Sequence, residues 1–184
     1  MVGAAHRQLS RQFPGLLTLL VPRHAERGEA IAAELAAQGL SVARRSRNQA
    51  IGADTDIYLG DSMGEMGLYY RLASIVFIGG SLVEHGGQNP LEAARLDSAL
   101  LFGPYMYNFT EQAAAMTKTG GAHLVADGDT LADQIALLLG DEIETGRRAA
   151  AAARAADDGE DVVSAVLKQI APLLPGPGRT NAGA

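Results

Sequence analysis

The chain has 184 residues, enough for one domain, and its 47% hydrophobic and 20% charged residues are typical of a globular protein. Its net charge of −6 argues against general nucleic-acid binding, and the lack of cysteine excludes disulfides, thiolate metal sites and cysteine nucleophiles. No apolar run reaches the ~18 residues that cross a bilayer, and the N-terminus lacks the apolar core of a signal peptide.

Strands and helices alternate along the first half of the chain, after polar residues 1–12 that are interpreted as the end of a helix. The predicted elements are, in chain order, a strand at 16–21, a helix at 25–38 that Gly39 ends, a strand at 41–44, a basic loop at 44–53, a strand at 55–59 and a helix at 65–73. Ile31 and Leu35 lie four residues apart and mark the buried face of their helix. The basic loop, with Arg44, Arg45 and Arg47, is interpreted as solvated surface.

The central stretch, residues 75–96, combines a strand, a glycine-rich loop and a helix start. Residues 75–78 are apolar throughout, as in a strand buried on both faces, and residues 79–88 include four glycines. Asn89 is a favourable N-cap, Pro90 suits the first helical position, and Glu92 stands where a capping box places its acidic residue. Because loop amides and a helix N-terminus both attract negative charge, this stretch predicts an anion-binding site.

The second half continues the alternation. Its predicted elements are a strand at 99–102, a helix from Asn108 or Thr110 to 118, a strand at 122–125, a helix from Asp129 or Thr130 to about 140, and a largely helical, alanine-rich segment at 142–171 with a possible break at 157–159. Residues 172–184 are rich in proline, glycine and small residues and are predicted to be a disordered tail. The whole pattern predicts an α/β fold over residues 1–171: a Rossmann-like, mainly parallel sheet with helices on both faces.

Three loops are expected at the carboxyl ends of the strands, where open α/β sheets bind their ligands: residues 22–24, 60–65 and 79–89. No lysine lies in a glycine loop, as a phosphate-binding loop requires, and the patterns GxGxxG and GxSxG are absent. The histidines lack metal-ligand spacing such as HExxH, so no metal site is predicted.

Four ordered motifs in these loops resemble the 3-deoxy-D-manno-octulosonic acid (Kdo) transferases. They are PRHAER at 22–27, LGDSMGEMGLYYRLASIVFIGGSL at 59–82, HGGQNPLEAA at 85–94 and LFGPYMYNF at 101–109. The shorter ARRS at 43–46 also matches in order and spacing, and the resemblance covers roughly residues 5–170. The chain departs from the family pattern at residues 95–99, where a Gly-Lys-Pro turn is usual, and at Glu84, Gln88 and Tyr105.

The resemblance implies the C-terminal, donor-binding half of a two-domain GT-B glycosyltransferase, apparently without its first strand. Family members move Kdo from CMP-Kdo to a lipid A precursor at the cytoplasmic face of the Gram-negative inner membrane, without a metal or other cofactor. The acceptor surface, the membrane-associating region and the general base are expected in the N-terminal domain. No catalytic residue is therefore predicted here, and the isolated chain is expected to be soluble and inactive. A missing strand would expose a sheet edge through which copies are expected to pair.

The loops and the resemblance together predict the donor-binding residues Arg23, His24, Met63, Gly64, Glu65, Gly80, Ser81, His85, Gly86, Gly87, Asn89 and Glu92. Arg23 is assigned to phosphate because guanidinium offers two parallel donors, with a salt bridge to Glu26 as the alternative. Residues 63–65 are assigned to the cytosine. Glu92 is assigned to the ribose, with a capping bond to the Asn89 backbone as the alternative.

The remaining assignments carry open alternatives. Ser81, Gly86 and Gly87 are expected to offer hydroxyl and amide groups to the phosphate or the sugar carboxylate, unless the turn alone needs glycine. His24 and His85 either contact the donor or brace their own loops. Two other functions also stay open: a different sugar-nucleotide enzyme of the same fold, such as a 2-epimerase-like protein, and a non-catalytic structural or oligomerising module.

Overall fold

A computed structural model describes residues 1–157 and 167–173 of the chain. Its α-helices are α1 (Val2–Ser10), α2 (Gly28–Ala37), α3 (Met66–Leu72), α4 (Leu91–Arg95), α5 (Thr110–Lys118), α6 (Gly128–Gly140) and α7 (Glu142–Asp157). Its strands are β1 (Thr18–Leu20), β2 (Val42–Arg44), β3 (Ile57–Leu59), β4 (Ile75–Phe77), β5 (Ala99–Phe102) and β6 (Ala122–Leu124). Short 3₁₀ turns occupy Ala25–Arg27, Arg45–Arg47, Tyr107–Phe109 and Ala171–Leu173. None of the helices in this part of the chain could span a bilayer.

The strands form two parallel sheets of three strands each. The first has the order β1-β3-β2 and the second the order β4-β5-β6, so β3 and β5 are the central strands. Every strand pair is parallel, with Leu20 and Arg44 both opposite Leu59 in the first sheet. The predicted parallel α/β class is confirmed, although the sequence predicted one sheet and, within the described residues, no ladder joins the two.

Strand β5 lies at the centre of the core, with all four residues buried. Leu100 and Phe102 pack on one side with residues of α5 and α7, such as Met116 and Ala152. Its alternate residues, Ala99 and Leu101, pack on the other side with the α6 residues Leu131 and Leu138. Helices therefore cover both faces of this sheet, as the alternation of side chains along a strand requires.

Helix α2 covers the first sheet through the face that the sequence predicted. Leu35 is buried in a cluster with Ile57 of β3, and Ile31 packs against the same cluster. Gly39 follows the helix with a φ of +81°, the left-handed conformation expected after a helix end. The buried face and the terminating glycine of this helix are thus confirmed.

Some predicted boundaries differ from the structure. Helix α6 is capped by Asp127, whose carboxylate accepts from the Thr130 backbone at 2.8 Å, rather than by Asp129 or Thr130 as predicted. The Asp127 amide in turn donates to the Thr130 hydroxyl oxygen at 3.0 Å, the reciprocal bond of a capping box. The polar N-terminal residues form the short helix α1. Most of the predicted break and tail lies in residues 158–166 and 174–184, outside the described residues, so the domain limit at 171 stays a prediction.

Candidate donor-nucleotide site

The loops that follow the strands gather at one edge of each sheet, because all strands run in the same direction. Residues 22–24 follow β1, residues 45–47 follow β2 and residues 60–65 follow β3. Residues 79–89 and 103–106 follow β4 and β5 in the second sheet. The first sheet thus presents two of the predicted loops, and the second sheet presents the glycine-rich loop.

Arg23 connects the loops of the two sheets. Its Nη1 donates to Oε1 of Gln88 at 2.5 Å, so the loop after β1 touches the end of the glycine-rich loop. The alternative partner Glu26 instead lies 3.3 Å from Nδ1 of His24, in an exposed pair that contributes little to stability. Arg23 is itself exposed, which leaves the rest of its guanidinium accessible to a ligand. Gln88, one of the departures from the family pattern, was missed by sequence reasoning as a partner of Arg23.

Ser81 lies inside the base of the glycine-rich loop. Its hydroxyl donates to the Ile78 carbonyl at 2.6 Å and accepts from the Gly103 amide at 2.8 Å. Gly103 also packs so closely that a Cβ there would stand 2.3 Å from the Ser81 carbonyl oxygen. The fully buried hydroxyl therefore ties the loop after β4 to the loop after β5.

The glycines of this loop occupy conformations and spaces that other residues would not fit. Gly86 and Gly87 have φ values of +84° and +72°. A Cβ on Gly86 would lie 2.3 Å from Asn108 Nδ2, and one on Gly87 would lie 2.3 Å from Met106 Sδ. The Gly87 amide donates to the Gly80 carbonyl at 3.2 Å, which closes the loop upon itself. The turn alone thus requires glycine at both positions, whatever ligand the loop receives.

Helix α4 has Pro90 at its N-cap rather than the predicted Asn89, which bonds the helix start from one position earlier, and Glu92 does not complete a capping box. Asn89 Oδ1 accepts from the Leu91 amide at 3.0 Å. Within the described residues no hydrogen bond returns from Glu92 to the Asn89 backbone, and the Glu92 side chain is exposed. Its Oε1 would be 3.7 Å from a Cβ on Gly67, so the carboxylate lies beside the start of α3. Since α4 has only five residues, its dipole adds little to an anion site.

Glu65 is held from two sides in the loop after β3. Arg45 Nε lies 3.0 Å from both carboxylate oxygens, and its Nη2 donates to Oε1 at 2.7 Å. Ser62 donates its hydroxyl to Oε2 at 2.5 Å. The Arg45 and Ser62 hydrogen bonds lower the pKa of Glu65 to about 2, so it is ionised at neutral pH. Between these residues Met63 is 80% exposed and Gly64 has a φ of +85°.

A second ion pair lies at the end of β2 and corrects part of the interpretation of residues 44–53 as solvated. Arg44 and Arg45 are half-buried, whereas residues 46–53 are exposed. Asp61 has a fully buried side chain and accepts from Arg44 Nε and Nη2, both at 2.8 Å. It also accepts from the Ser46 amide at 2.8 Å and the Ser46 hydroxyl at 2.7 Å. Burial alone would raise the pKa of Asp61, but the bonds from Ser46 and Arg44 outweigh it and lower the pKa. Arg44 also bonds Glu29 of α2.

The two predicted histidines occupy the rim of the loop cluster. His24 and His85 are exposed, and the backbone carbonyl of His85 accepts from Asn108 Nδ2 at 3.2 Å. No group of three His, Asp or Glu residues in the described ranges is arranged to hold a metal ion. A metal-free site accordingly stays a prediction.

The chain is similar to proteins whose names fit this loop cluster, although no family model matches it. The 3-deoxy-D-manno-octulosonic acid transferase of Haemophilus influenzae is 45% identical over 107 residues, which is 58% of this chain and 25% of that protein. The same enzyme of Bordetella pertussis is 40% identical over 136 residues, 73% of this chain and 31% of that protein. The chain thus spans about a quarter to a third of the length of these curated relatives.

A solved structure supports the same relation. The crystal structure of the C-terminal CMP-Kdo binding domain of WaaA from Acinetobacter baumannii aligns with a TM-score of 0.73 and 26% identity. The alignment covers 83% of this chain and 96% of that domain. Parallel sheets, flanking helices and the loop cluster define the fold of the C-terminal half of a GT-B glycosyltransferase. More particularly, the chain is a homologue of the Kdo transferases, and its fold corresponds to the C-terminal domain of such an enzyme.

Proposed function

We propose that this chain binds CMP-Kdo, as the donor-binding domain of a Kdo transferase. The observation that carries the proposal is the meeting of the predicted loops at one end of the sheets. Arg23 reaches Gln88 across the two sheets, and Glu92 lies beside the start of α3, which follows the third loop. The similarity to a CMP-Kdo binding domain over 83% of the chain supports CMP-Kdo as the ligand.

The proposed contacts follow from the chemistry of each exposed group. Arg23 pairs with the phosphate, together with amides of Gly80 and Gly86, and stabilises the departing CMP, while the Gly87 amide bonds the Gly80 carbonyl and closes the loop. Glu92 accepts from the ribose hydroxyls, since the first amide of α4 bonds Asn89 instead. The backbone of residues 63–65 faces the cytosine. Ser81 supports the glycine-rich loop from inside, and His24 and His85 lie at the rim near the sugar.

The remaining steps of the transfer are assigned to other parts of a longer enzyme. The relatives are three to four times longer than their matched regions, which leaves room for an acceptor domain. We assign the lipid A precursor, the general base and attachment to the cytoplasmic face of the inner membrane to such a domain. The chain by itself is then expected to transfer no Kdo, and transfer by purified 1–184 would contradict this division. Pairing of copies through a sheet edge stays a prediction that sedimentation velocity tests.

Calorimetric titration of the chain with CMP and with UDP tests the donor assignment. We expect saturable binding of CMP and much weaker binding of UDP, because the base loop is assigned to cytosine. A clear preference for UDP would indicate a different sugar-nucleotide enzyme. A folded protein that binds neither nucleotide at millimolar concentration would indicate a structural module.

A further inference from the structure

We propose that Arg45 is a positioning residue that sets the base preference of the donor site by holding the loop 62–65 through Glu65. Arg44, Ser46 and the buried Asp61 fix Arg45 in place. The inference rests on the proposed function and adds to it a residue that the sequence interpretation placed in solvated surface.

Three consecutive residues at the end of β2, Arg44 to Ser46, bind two acidic residues after β3. Arg44 and Ser46 both bond Asp61, while Arg45, between them, bonds Glu65. The strands are adjacent and parallel, with Arg44 opposite Leu59, so the segments that follow them run side by side. The alternation of partners means that segment 44–46 cannot shift along segment 61–65 without losing bonds to both carboxylates.

Asp61 makes the contact between segments 44–46 and 61–65 rigid. A buried carboxylate is stable only when its oxygens are compensated, and here four donors from Arg44 and Ser46 surround it. Gly28, the first residue of α2, packs against it so closely that a Cβ would stand 2.3 Å from Oδ2. The N-terminus of α2 therefore packs against the Arg44–Asp61 pair, and the dipole of this helix favours the negative charge of Asp61.

Arg45 fixes the C-terminal end of the loop 62–65, at Glu65. Its guanidinium contacts both oxygens of Glu65, a geometry that restricts rotation as well as distance. Ser62 bonds Glu65 from the other end of the four-residue loop. Just before the loop in the chain, Gly60 packs against the buried ring of Tyr69, and a Cβ on Gly60 would stand 2.7 Å from Tyr69 Cζ. The exposed Met63 and Gly64 thus lie between two immobilised residues.

A fixed loop backbone is what discrimination between pyrimidines requires. Cytosine presents an amino donor and a ring-nitrogen acceptor where uracil presents a carbonyl acceptor and an N–H donor. Backbone amide and carbonyl groups distinguish these patterns only if they are held in one orientation, because a mobile loop adapts to either base. Arg45 does not touch the base in this arrangement, and its effect passes through Glu65.

Calorimetric measurement of Kd for CMP, UMP and ribose 5-phosphate, on the chain and on Arg45→Gln, tests the inference. We expect the preference for CMP over UMP to fall about tenfold in the variant, equivalent to ~1.4 kcal/mol, while the affinity for ribose 5-phosphate stays within about twofold. Arg45→Lys, which keeps the charge but loses the two-oxygen contact, is expected to restore part of the preference. Arg47→Gln is the matched control, because Arg47 is exposed and bonds Glu29 instead.

The outcomes separate this inference from the proposed function. If the unmodified chain does not bind CMP, both fail. If it binds CMP and Arg45→Gln keeps the same base preference, the inference alone is overturned, as it is if all three ligands weaken equally. Should Arg45→Gln fail to fold, Ser62→Ala decides, because it removes the other bond to Glu65 and is expected to lower the preference in the same direction. An unchanged preference in Ser62→Ala would then overturn the inference.

Discussion

At the residue scale, the loop cluster contains side chains that face solvent and side chains that hold the loops together. Arg23, Met63 and Glu92 belong to the first kind, since all three are exposed. Ser81 and Asp61 belong to the second, with every polar atom of the side chain engaged inside the protein. Substitution of the first kind should alter binding, whereas substitution of the second kind should alter folding.

Arg23→Ala is expected to weaken CMP binding about tenfold or more, because a charged hydrogen bond contributes roughly 1.5–3 kcal/mol. The midpoint of thermal unfolding should change little, since the Arg23 side chain is exposed and its bond is to the side chain of Gln88. Calorimetric titration and a thermal scan on the same sample measure the two effects. Arg27→Ala, an exposed arginine in the next turn, is the matched control. Equal CMP affinity in Arg23→Ala and the unmodified chain would remove Arg23 from the site.

The sequence predicted which residues stand in the loops better than it predicted their partners. It indicated Glu26 as the alternative partner of Arg23, and the structure gives Gln88, which is far away along the chain. It also allowed a capping role for Glu92, which would have linked binding to stability. That link is removed because α4 has Pro90 at its N-cap and its first amide bonds Asn89 rather than Glu92. Such partners depend on tertiary contacts that no local pattern encodes.

One residue-scale signal was present in the sequence and was not used. Arg44 ends β2 and Arg45 follows it, and two acidic residues, Asp61 and Glu65, follow β3. Once the two strands are placed side by side, opposite charges at their carboxyl ends predict ion pairs. The interpretation of a solvated basic loop holds for the exposed residues 46–53 and was wrong for Arg44 and Arg45, because the strand order was not known.

At the element scale, the loop after β4 depends on a buried hydroxyl. Ser81→Ala would leave the Ile78 carbonyl and the Gly103 amide without a partner inside the protein. We expect a loss of about 1–3 kcal/mol in the free energy of unfolding, measured by urea denaturation. Ser74→Ala, an exposed serine just before β4, should cost far less and serves as the control. Equal stabilities of the two variants would show that the Ser81 bonds are not significant.

The elements themselves were largely predictable. Apolar runs identified all six strands, and the helix starts and stops lie within a few residues of the structure. Five of the strands are shorter than predicted and β5 has the predicted bounds. Strands β2 and β3 lack only residues at their N-terminal ends. The cap of α6 was missed because Asp127, Asp129 and Thr130 are all favourable cap residues, and only the bonds identify the one that is used.

At the scale of the whole molecule, α1 connects the two sheets. His6 is buried, with Nδ1 2.9 Å from Thr18 Oγ1 of β1 and Nε2 3.2 Å from Asp56 Oδ1. Gly3 packs on Leu35 and Leu40 of the first half. The same helix packs against α6, which covers the second sheet. A helix that the sequence marked only as a polar fragment therefore joins both halves of the core.

His6→Ala is expected to reduce the free energy of unfolding by about 2–4 kcal/mol, because it leaves a cavity and two groups without their partner. Urea denaturation measures the loss, and Arg11→Ala, at an exposed position just after α1, is the control. If His6→Ala were as stable as Arg11→Ala, α1 would not contribute to the connection between the sheets through this side chain.

The order of the strands was beyond the reach of the sequence. Alternating strands and helices predict parallel pairing, but the order β1-β3-β2 depends on contacts between segments far apart in the chain. The fold and the expected ligand were predicted from the resemblance to the Kdo transferases. The arrangement of the loops then followed from the common direction of the strands. No local sequence pattern indicated that the strands form two separate three-stranded sheets.

The interlocked bonding of segments 44–46 and 61–65 has a consequence for protein engineering. A designer who transplants the segment 61–65 into another protein of this fold would also have to transfer Arg44, Arg45 and Ser46 at the end of the neighbouring strand. Moving the acidic segment alone would place a buried carboxylate without its guanidinium, a state that is strongly destabilising. The two segments must therefore be exchanged together, although residues 47–60 separate them in the chain.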